Sequence, residues 1–278
     1  MAKAANSNTE PVHDVAVVGG GAAGLAVLLG LERAGLKPVL VGAVPNPRDD
    51  GRTAALMAPS VRLLDRIGAL PRLEPKSTPL SAMRLIDATG ALVRAPTVTF
   101  RASEVGLPWF ALNFANADLV REMTAEAAHR GLDCIAEQVI EGAFGEDCAR
   151  LVLADGQILR ARLVIAADGQ KSLLRGLAGL NIKSWTYAQT ALTFHVTHSR
   201  DHEDISTEIH MRAGPLTFVP FGAYRSAVVW LVTPDEAERL RALPPEDLAI
   251  AVQRASTSLL GDLTVVTPAA AVPMRGLV

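Results

Sequence analysis

The first hydrophobic run of the chain, Asp14–Val18, is short and rich in β-branched residues, which predicts a buried parallel strand. A glycine-rich turn follows at 19–24, and residues 22–34 have a helix-forming composition that ends at Gly35, a typical residue after a helix. A second apolar run at 37–41 predicts another buried strand. This order of strand, turn, helix and strand predicts a βαβ unit at the start of the fold.

The pattern then alternates between helices and hairpins, and becomes mainly β-rich after Trp185. The predicted elements of the middle part are helices over 60–70 and 116–130, a hairpin of 81–87 with 91–94, and a hairpin of 150–153 with 158–161 that leads into an apolar strand at 163–167. Those of the last part are strands over 190–197, 207–211, 216–220 and 226–233, followed by helices over 234–243 and 245–260.

Composition and charge narrow the functional classes. The 278 residues include 27 basic and 29 acidic side chains, so the chain lacks the basic excess that nucleic acid binding requires. Two cysteines, Cys134 and Cys148, are too few for a disulfide framework and predict free thiols in the cytoplasm. We expect His195, His198 and His202 to be exposed and predict no metal site, because the first two would point to opposite faces of one strand.

The strongest chemical signal is Gly19-Gly-Gly21-Ala-Ala-Gly24, placed between the first strand and the first helix. In a dinucleotide-binding turn the first glycine permits the tight turn, the second lets the backbone approach a pyrophosphate, and the third lets helix and strand pack closely. An acidic residue is expected about 20 positions further on to bind the ribose. Val41–Ala43 holds none; Asp49 and Asp50 are the nearest acids, and a plain role as solvated loop charges suits them equally well.

A second signal follows the apolar strand at 163–167, where Asp168-Gly169 is followed by Ser172 and Arg175. Ligands of open α/β sheets bind at the carboxyl ends of the strands. An Asp-Gly pair is also common in ordinary turns, as at Asp155-Gly156. The preceding buried strand and the early βαβ unit favour a functional role for the second pair.

The two motifs, in this order and separation, resemble those of flavin-dependent aromatic monooxygenases of the para-hydroxybenzoate hydroxylase fold. Within that group the chain most resembles the ubiquinone-biosynthesis hydroxylases, in the 2-octaprenyl-6-methoxyphenol hydroxylase branch. The supporting segments are 50–56, 60–64, 106–113, 214–220 and 229–230. The resemblance implies an α/β fold with a Rossmann-like FAD-binding domain and an interleaved β-rich substrate domain. The expected boundaries are a flexible tail over 1–11, the FAD-binding domain over 12–77 and 106–184, and the substrate domain over 78–105 and 185–278.

The resemblance also implies which residues meet the cofactor and the substrate. The residues expected at FAD are Gly19, Gly21 and Gly24 at the pyrophosphate, Arg52 near the flavin, and Asp168 with Gly169 in the pyrophosphate region and on the route of the nicotinamide donor; Gly214 and Pro215 are expected on the substrate side of the flavin ring. NAD(P)H and O2 are the implied co-substrates. We predict no catalytic acid or base, because the cofactor carries the chemistry in such enzymes.

The implied activity is the hydroxylation of a phenolic ring, with a polyprenylated ubiquinone precursor as the substrate. The implied location is the cytoplasm, with association at the periphery of the inner membrane or with a biosynthetic complex left open. The family's third flavin motif is expected only beyond Val278, because Gly261-Asp262 leads into a predicted strand. Two alternatives therefore stay open: a flavin oxidoreductase of the same fold acting on another aromatic substrate, and a shortened, non-catalytic remnant that binds flavin weakly.

Overall fold

A computed structural model of the chain describes residues 12–43 and 51–278, which form two compact units. The first unit contains 12–43, 64–70 and 119–181; the second contains 51–63, 71–118 and 182–278. The chain therefore passes between the units several times, in agreement with the predicted interleaved α/β architecture. The structural division places 51–63, 71–77, 106–118 and 182–184 in the second unit, whereas the sequence grouped them with the FAD-binding domain. The functional boundaries stay a prediction.

The described residues contain seventeen strands and seven α-helices. The strands are β1 (Val12–Val18), β2 (Pro38–Val41), β3 (Thr53–Met57), β4 (Thr78–Leu80), β5 (Ala82–Asp87), β6 (Val98–Arg101), β7 (Ala111–Ala115), β8 (Asp133–Ile135), β9 (Val139–Phe144), β10 (Ala149–Leu153), β11 (Ile158–Ala166), β12 (Ser184–His198), β13 (Ile205–Met211), β14 (Gly214–Pro220), β15 (Arg225–Val232), β16 (Leu263–Val265) and β17 (Ala270–Leu277). The helices are α1 (Ala22–Arg33), α2 (Ala58–Arg66), α3 (Leu70–Leu73), α4 (Asn116–His129), α5 (Leu173–Leu177), α6 (Pro234–Arg241) and α7 (Pro245–Ala255).

The first unit is built on a six-stranded sheet with the order β8-β2-β1-β11-β10-β9. The strands β8, β2, β1 and β11 run parallel, and β10 and β9 add an antiparallel edge. The pairing of β1 with β11 brings the two predicted motifs together. Val18, directly before the glycine turn, lies beside Ala166, two residues before Asp168. Its buried core includes Val18, Val39 and Leu151, which have little or no exposure to solvent.

A partly buried arginine network ties helices of the first unit together. The Arg130 guanidinium donates to Glu126 at 2.9 Å, to Glu32 at the end of α1 at 2.8 Å, and to the carbonyl oxygen of Ile67 at 2.6 Å. The side chain is only 16% exposed. Because guanidinium donors in three directions are satisfied, the residue after α4 holds α1 and the end of α2 at a fixed distance.

The second unit contains an eight-stranded sheet and a small three-stranded sheet. The order in the large sheet is β16-β12-β15-β14-β13-β5-β6, with β17 also paired to β12; the small sheet has the order β3-β7-β4. One face of the large sheet packs on α6 and α7, and side chains such as Phe194, Leu216 and Trp230 form the core there. The alternation of buried and partly exposed residues along β14 is the pattern that a sheet with one covered face requires.

Most of the elements predicted from periodicity are present, with one misplaced hairpin arm. The βαβ unit, the helix over 116–129 and the strands after 184 agree with the predictions. The partner of β5, however, is β6, with Ala82 opposite Arg101, and not the predicted run 91–94. Residues 88–97 form a longer loop, because the Asp87 carboxylate holds that loop by accepting backbone hydrogen bonds from Thr89 and Ala95. No helix within 12–43 and 51–278 is long and apolar enough to cross a membrane.

Candidate functional site

The turn after β1 is held in a conformation that only glycine adopts readily. Gly19 has a φ of +123°, and its N–H donates to the Val41 carbonyl oxygen at 2.8 Å, so the turn closes against the end of β2. A Cβ on Gly19 would overlap the Ala167 carbonyl group and would lie 2.9 Å from the Asp168 nitrogen. The two predicted motifs therefore meet in the folded chain, and the absence of a side chain at Gly19 makes that approach possible.

The other two glycines of the turn serve different purposes. A Cβ on Gly24 would collide with the Gly19 carbonyl group, so this glycine lets α1 pack against the turn. At Gly21 a Cβ would meet nothing within 4 Å, and φ is −76°, so the position is open and unstrained. Gly21 is also the N-cap of α1, which has no side-chain cap and no acidic residue in its first turn. The N–H groups at this helix terminus are therefore available to an anionic ligand.

Asp168 is placed by the end of β11 and by the start of α5. The Ala167 N–H donates to the Val18 carbonyl oxygen at 2.8 Å, which continues the β1–β11 pairing up to the aspartate. One carboxylate oxygen of Asp168 accepts a hydrogen bond from the Leu174 N–H at 3.2 Å. Ser172 caps the same short helix, its hydroxyl oxygen accepting from the Arg175 N–H at 3.0 Å. Asp168 therefore has a structural duty beside its predicted role at the cofactor.

A cavity of about 700 Å³ lies where the two motifs meet. Gly19, Gly21, Asp168 and Gly169 line it, and so does Lys171, a residue that the sequence analysis did not single out. A lysine shortly after the Asp-Gly pair was the available signal. Open helix N–H groups and one ammonium group make this a cradle for a phosphate-bearing ligand. We call it the glycine cradle. Gly24 is not among the residues that line it.

The expected ribose end of the glycine cradle has no acidic residue at the end of β2, as the sequence indicates. Gly42 lines the cavity there with a φ of +130°, and a Cβ on it would lie 3.3 Å from the Gly19 nitrogen. An aspartate or glutamate at this position would therefore be strained and crowded. Asp49 and Asp50, the nearest acids, lie outside the described residues.

A second cavity, of about 530 Å³, shares Asp168, Gly169 and Leu174 with the glycine cradle. Its remaining walls are largely apolar, and Arg162 and Arg175 are the cationic residues that line it. The Asp168-Gly169 pair therefore separates two cavities of the first unit. This position suits the predicted involvement of Asp168 both at the pyrophosphate and on the route of a second nucleotide, which stays a prediction.

The remaining predicted site residues belong to the second unit. Arg52 is exposed, and its carbonyl oxygen accepts a hydrogen bond from the Asn116 N–H at 3.0 Å. Gly214 is buried with a φ of +145°, and a Cβ on it would lie 2.6 Å from the Leu231 carbonyl oxygen. Pro215 follows it in β14, opposite His210. The roles of Arg52, Gly214 and Pro215 toward the flavin and the substrate stay predictions.

The expectation that three histidines are exposed is wrong. His195, His198 and His202 are only 6 to 8% exposed. Each has a different set of partners: His198 donates to the Arg200 carbonyl oxygen at 2.7 Å and accepts from the Ser226 hydroxyl at 3.0 Å, whereas His202 donates to the Gly222 carbonyl oxygen at 2.8 Å. The prediction failed because Ser226 and Gly222, the partners that allow His198 and His202 to be buried, lie on other segments of the chain. Within 12–43 and 51–278, no group of three or more His, Cys, Asp or Glu residues could hold a metal ion.

His195 forms part of a compact aromatic and cationic cluster. Arg225 donates to its Nδ1 at 3.0 Å and lies 5.0 Å from the centre of the Phe221 ring, which itself is 4.8 Å from the imidazole ring. Burial and the neighbouring Arg225 charge lower the pKa of His195. The Nε2 atom of His195 has no hydrogen-bond partner of ordinary geometry. The Gly51 backbone favours the charged ring and so acts on the pKa of His195 in the opposite direction. His195 is therefore neutral at physiological pH.

Comparisons with known proteins agree with this geometry. A family profile described as FAD binding domain matches residues 12–271. The ubiquinone hydroxylase UbiL of Rhodospirillum rubrum is 30% identical over 285 residues, covering 94% of this chain and 61% of UbiL. The 3-demethoxyubiquinol 3-hydroxylase of Escherichia coli is 29% identical over 265 residues, covering 92% of this chain and 66% of that enzyme. The chain thus spans about three fifths to two thirds of the length of these relatives.

The same architecture occurs in a solved structure. PqsL, a probable FAD-dependent monooxygenase from Pseudomonas aeruginosa, aligns with a TM-score of 0.80 at 19% identity. The alignment covers 95% of this chain and 74% of PqsL. At this identity the likeness shows the fold alone.

Proposed function

The chain belongs to the family of FAD binding domains. We therefore propose that it binds FAD in the glycine cradle and functions as an FAD-dependent monooxygenase. The reaction is the hydroxylation of a phenolic ring, with NAD(P)H and O2 as co-substrates. The observation that carries the proposal is the convergence of Gly19, Gly21, Asp168 and Gly169 on one cavity. These residues come from two motifs far apart in the sequence. If each motif were only an ordinary turn, nothing would require the two to line the same cavity.

The residues present fit the diphosphate part of FAD. Gly21 leaves open space at the uncapped start of α1, where backbone N–H groups and the helix dipole favour phosphate oxygens. The ammonium group of Lys171 adds a positive charge to the lining of the same cavity. Bound FAD would supply the redox chemistry, taking electrons from NAD(P)H for the activation of O2. The protein's part is to hold the cofactor, orient the ring to be hydroxylated and keep water away.

We propose a ubiquinone precursor as the substrate class. Both named relatives are hydroxylases whose names place them in ubiquinone chemistry, and their similarity extends over more than nine tenths of this chain. Such precursors carry a phenolic ring, which suits oxygen transfer, and a polyprenyl chain. A cytoplasmic enzyme that uses them has to work at the periphery of the membrane or within a complex, and we propose this location.

An absorption spectrum of the purified 278-residue chain, followed by a titration with FAD, tests the proposal. We expect a flavin spectrum and saturable quenching of flavin fluorescence. Addition of NAD(P)H in air should then give oxidation that a phenolic substrate analogue accelerates. No binding at high micromolar FAD would overturn the proposal for this chain. Flavin binding without stimulation by any phenol would instead favour an oxidoreductase with another substrate.

A further inference from the structure

The end of the glycine cradle beside Gly42 lacks the group that dinucleotide-binding folds use there. In such folds a carboxylate near the end of the second strand accepts a hydrogen bond from the adenosine ribose. Here Gly42 occupies that end, and its φ of +130° disfavours any side chain at the position. A ribose bound at this end of the cradle therefore needs a polar partner from another element.

Strand β8 brings such a partner to the end of β2. The two strands run parallel, with Ile135 beside Val41, and the Gly42 N–H donates to the Ile135 carbonyl oxygen at 2.9 Å. Both strands therefore end at the same edge of the sheet. The chain continues from β8 to Gln138, three residues further on, and Gln138 lines the glycine cradle together with Gly42.

The backbone of Gln138 is fixed, whereas its side-chain amide is free to meet a ligand. The Ala154 N–H donates to the Gln138 carbonyl oxygen at 2.8 Å, which ties the residue to the end of β10. The residue is exposed, and within 12–43 and 51–278 its carboxamide has no hydrogen-bond partner. A carboxamide can accept a hydrogen bond from one hydroxyl group and donate one to another, as a ribose with two neighbouring hydroxyls requires.

The other polar side chains of the glycine cradle belong to a different strand. Of the described residues that line it, Gln138, Asp168 and Lys171 have polar side chains. Asp168 and Lys171 follow β11, and β1 lies between β11 and β2. The ends of β2 and β11 are therefore two strand spacings apart, or about 10 Å. Glu137, the acid next to Gln138, is not among the described residues that line the cavity. Gln138 is thus the polar side chain placed for the ribose.

We propose that Gln138 binds the adenosine ribose of FAD and takes the place of the carboxylate that is absent at Gly42. Its carboxamide oxygen accepts a hydrogen bond from the ribose 2′-hydroxyl, and its NH2 group donates to the oxygen of the 3′-hydroxyl. This inference rests on the proposed function, because it adds the adenosine end to a cradle assigned there to the diphosphate. The ribose end is then uncharged, in contrast to the acidic ribose site of other dinucleotide-binding folds.

Calorimetric titration of the purified chain with ADP and with 2′-deoxy-ADP tests the role of Gln138. ADP contains the adenosine and the diphosphate of FAD without the flavin. We expect the wild type to bind ADP about fivefold more tightly than 2′-deoxy-ADP, because one hydrogen bond is lost with the 2′-hydroxyl. Gln138→Ala should bind ADP about tenfold more weakly and should no longer distinguish the two nucleotides. Gln138→Glu retains an acceptor and should still prefer ADP. Glu137→Ala is the matched control and should behave like the wild type.

The outcomes separate this inference from the proposed function. A preference for ADP that persists in Gln138→Ala, or no binding of ADP by the wild type, would overturn the role of Gln138. Loss of the preference in Glu137→Ala alone would assign the ribose to that acid instead. Fluorescence titration with FAD reports on the proposed function. FAD binding with an unchanged preference in Gln138→Ala would leave the function standing and remove the inference. Gln138-dependent binding of ADP by a chain that does not bind FAD would support the ribose site and overturn the function.

Discussion

The carbonyl group of Gly19 lies where a side chain on Gly24 would begin. The two residues come from the same short turn, yet their contact decides how closely α1 approaches β1. Gly21, between them, faces open space and lines the glycine cradle. The same motif therefore contains two kinds of glycine. Packing requires Gly19 and Gly24, whereas the only evident role of Gly21 is to leave room for a ligand.

This difference predicts opposite outcomes for two substitutions. Gly24→Ala should lower the free energy of unfolding by about 1–3 kcal/mol, because the added Cβ overlaps backbone that cannot move freely. Gly21→Val should cost at most about 1 kcal/mol of stability, because valine is a poorer N-cap than glycine. It should weaken FAD binding at least about tenfold, because the side chain fills the cradle. Urea denaturation measures the first effect and fluorescence titration with FAD the second. Normal flavin affinity in Gly21→Val would show that the cradle does not hold the cofactor.

Mutations can separate the structural role of Asp168 at the start of α5 from its proposed role at the cofactor. Asp168→Ala and Ser172→Ala each remove one hydrogen bond from the start of α5, so each should cost about 1 kcal/mol of stability. Only Asp168→Ala removes a carboxylate from the wall of the glycine cradle and from the cavity beside it. We expect it alone to slow the reduction of bound flavin by NAD(P)H, measured by stopped-flow absorbance. Equal reduction rates in both variants would reduce Asp168 to a helix cap.

The buried histidines predict a stability that depends on pH. Burial lowers the pKa of His195 and of His198, so the folded state favours their neutral forms. Their contribution is complete above the unfolded value near 6.5 and is lost as the pH falls below it. The slope cannot exceed about 1.4 kcal/mol per pH unit for each histidine. Urea midpoints between pH 8 and pH 5 should therefore decrease, and less steeply in His195→Asn. If urea midpoints of His195→Asn decreased with pH as steeply as those of the wild type, the lowered pKa of His195 would be contradicted.

Arg130 offers a test of the packing of the first unit. Arg130→Met should cost about 2 kcal/mol, because the variant removes the hydrogen bonds that the guanidinium donates to the Ile67 carbonyl oxygen, to Glu32 and to Glu126. Arg241→Met is the matched control: its ion pair with Glu238 is at least half exposed on both sides and should contribute less than about 0.5 kcal/mol. Chemical denaturation of both variants gives the comparison. Similar losses would mean that the network around Arg130 is not a stabilising one.

Local patterns in the sequence predict local structure well in this chain. The βαβ unit was predictable because an apolar strand, a glycine turn and a helix ending at Gly35 each have their own signal within a few residues. The meeting of Gly19 with Asp168 could be anticipated, since both follow strands whose carboxyl ends face one edge of a sheet. Lys171 could have been included on charge alone.

The failures come from contacts that no short window contains. The strands β3, β4 and β7 are three to five residues long and pair with segments far away, so their periodicity is too brief to detect. The second hairpin arm was misplaced because Asp87 binds Thr89 and Ala95 instead of continuing the ladder. The histidines were misjudged because exposure in a charged loop was inferred from neighbours in sequence, whereas Ser226 and Gly222 satisfy two of the rings from other segments.

The parallel pairing of β1 with β11 has a consequence for the order of events in folding. Val12 lies beside Arg160 in the register, so the pair closes a loop of about 150 residues, and such non-local contacts form late. A chain emerging from the ribosome therefore exposes its glycine turn long before Asp168 is synthesised. The whole β4–β7 segment of the second unit is also made in the interval. Cofactor capture is thus expected to follow assembly of the sheet, and apoprotein isolated early would have the turn but not the cradle.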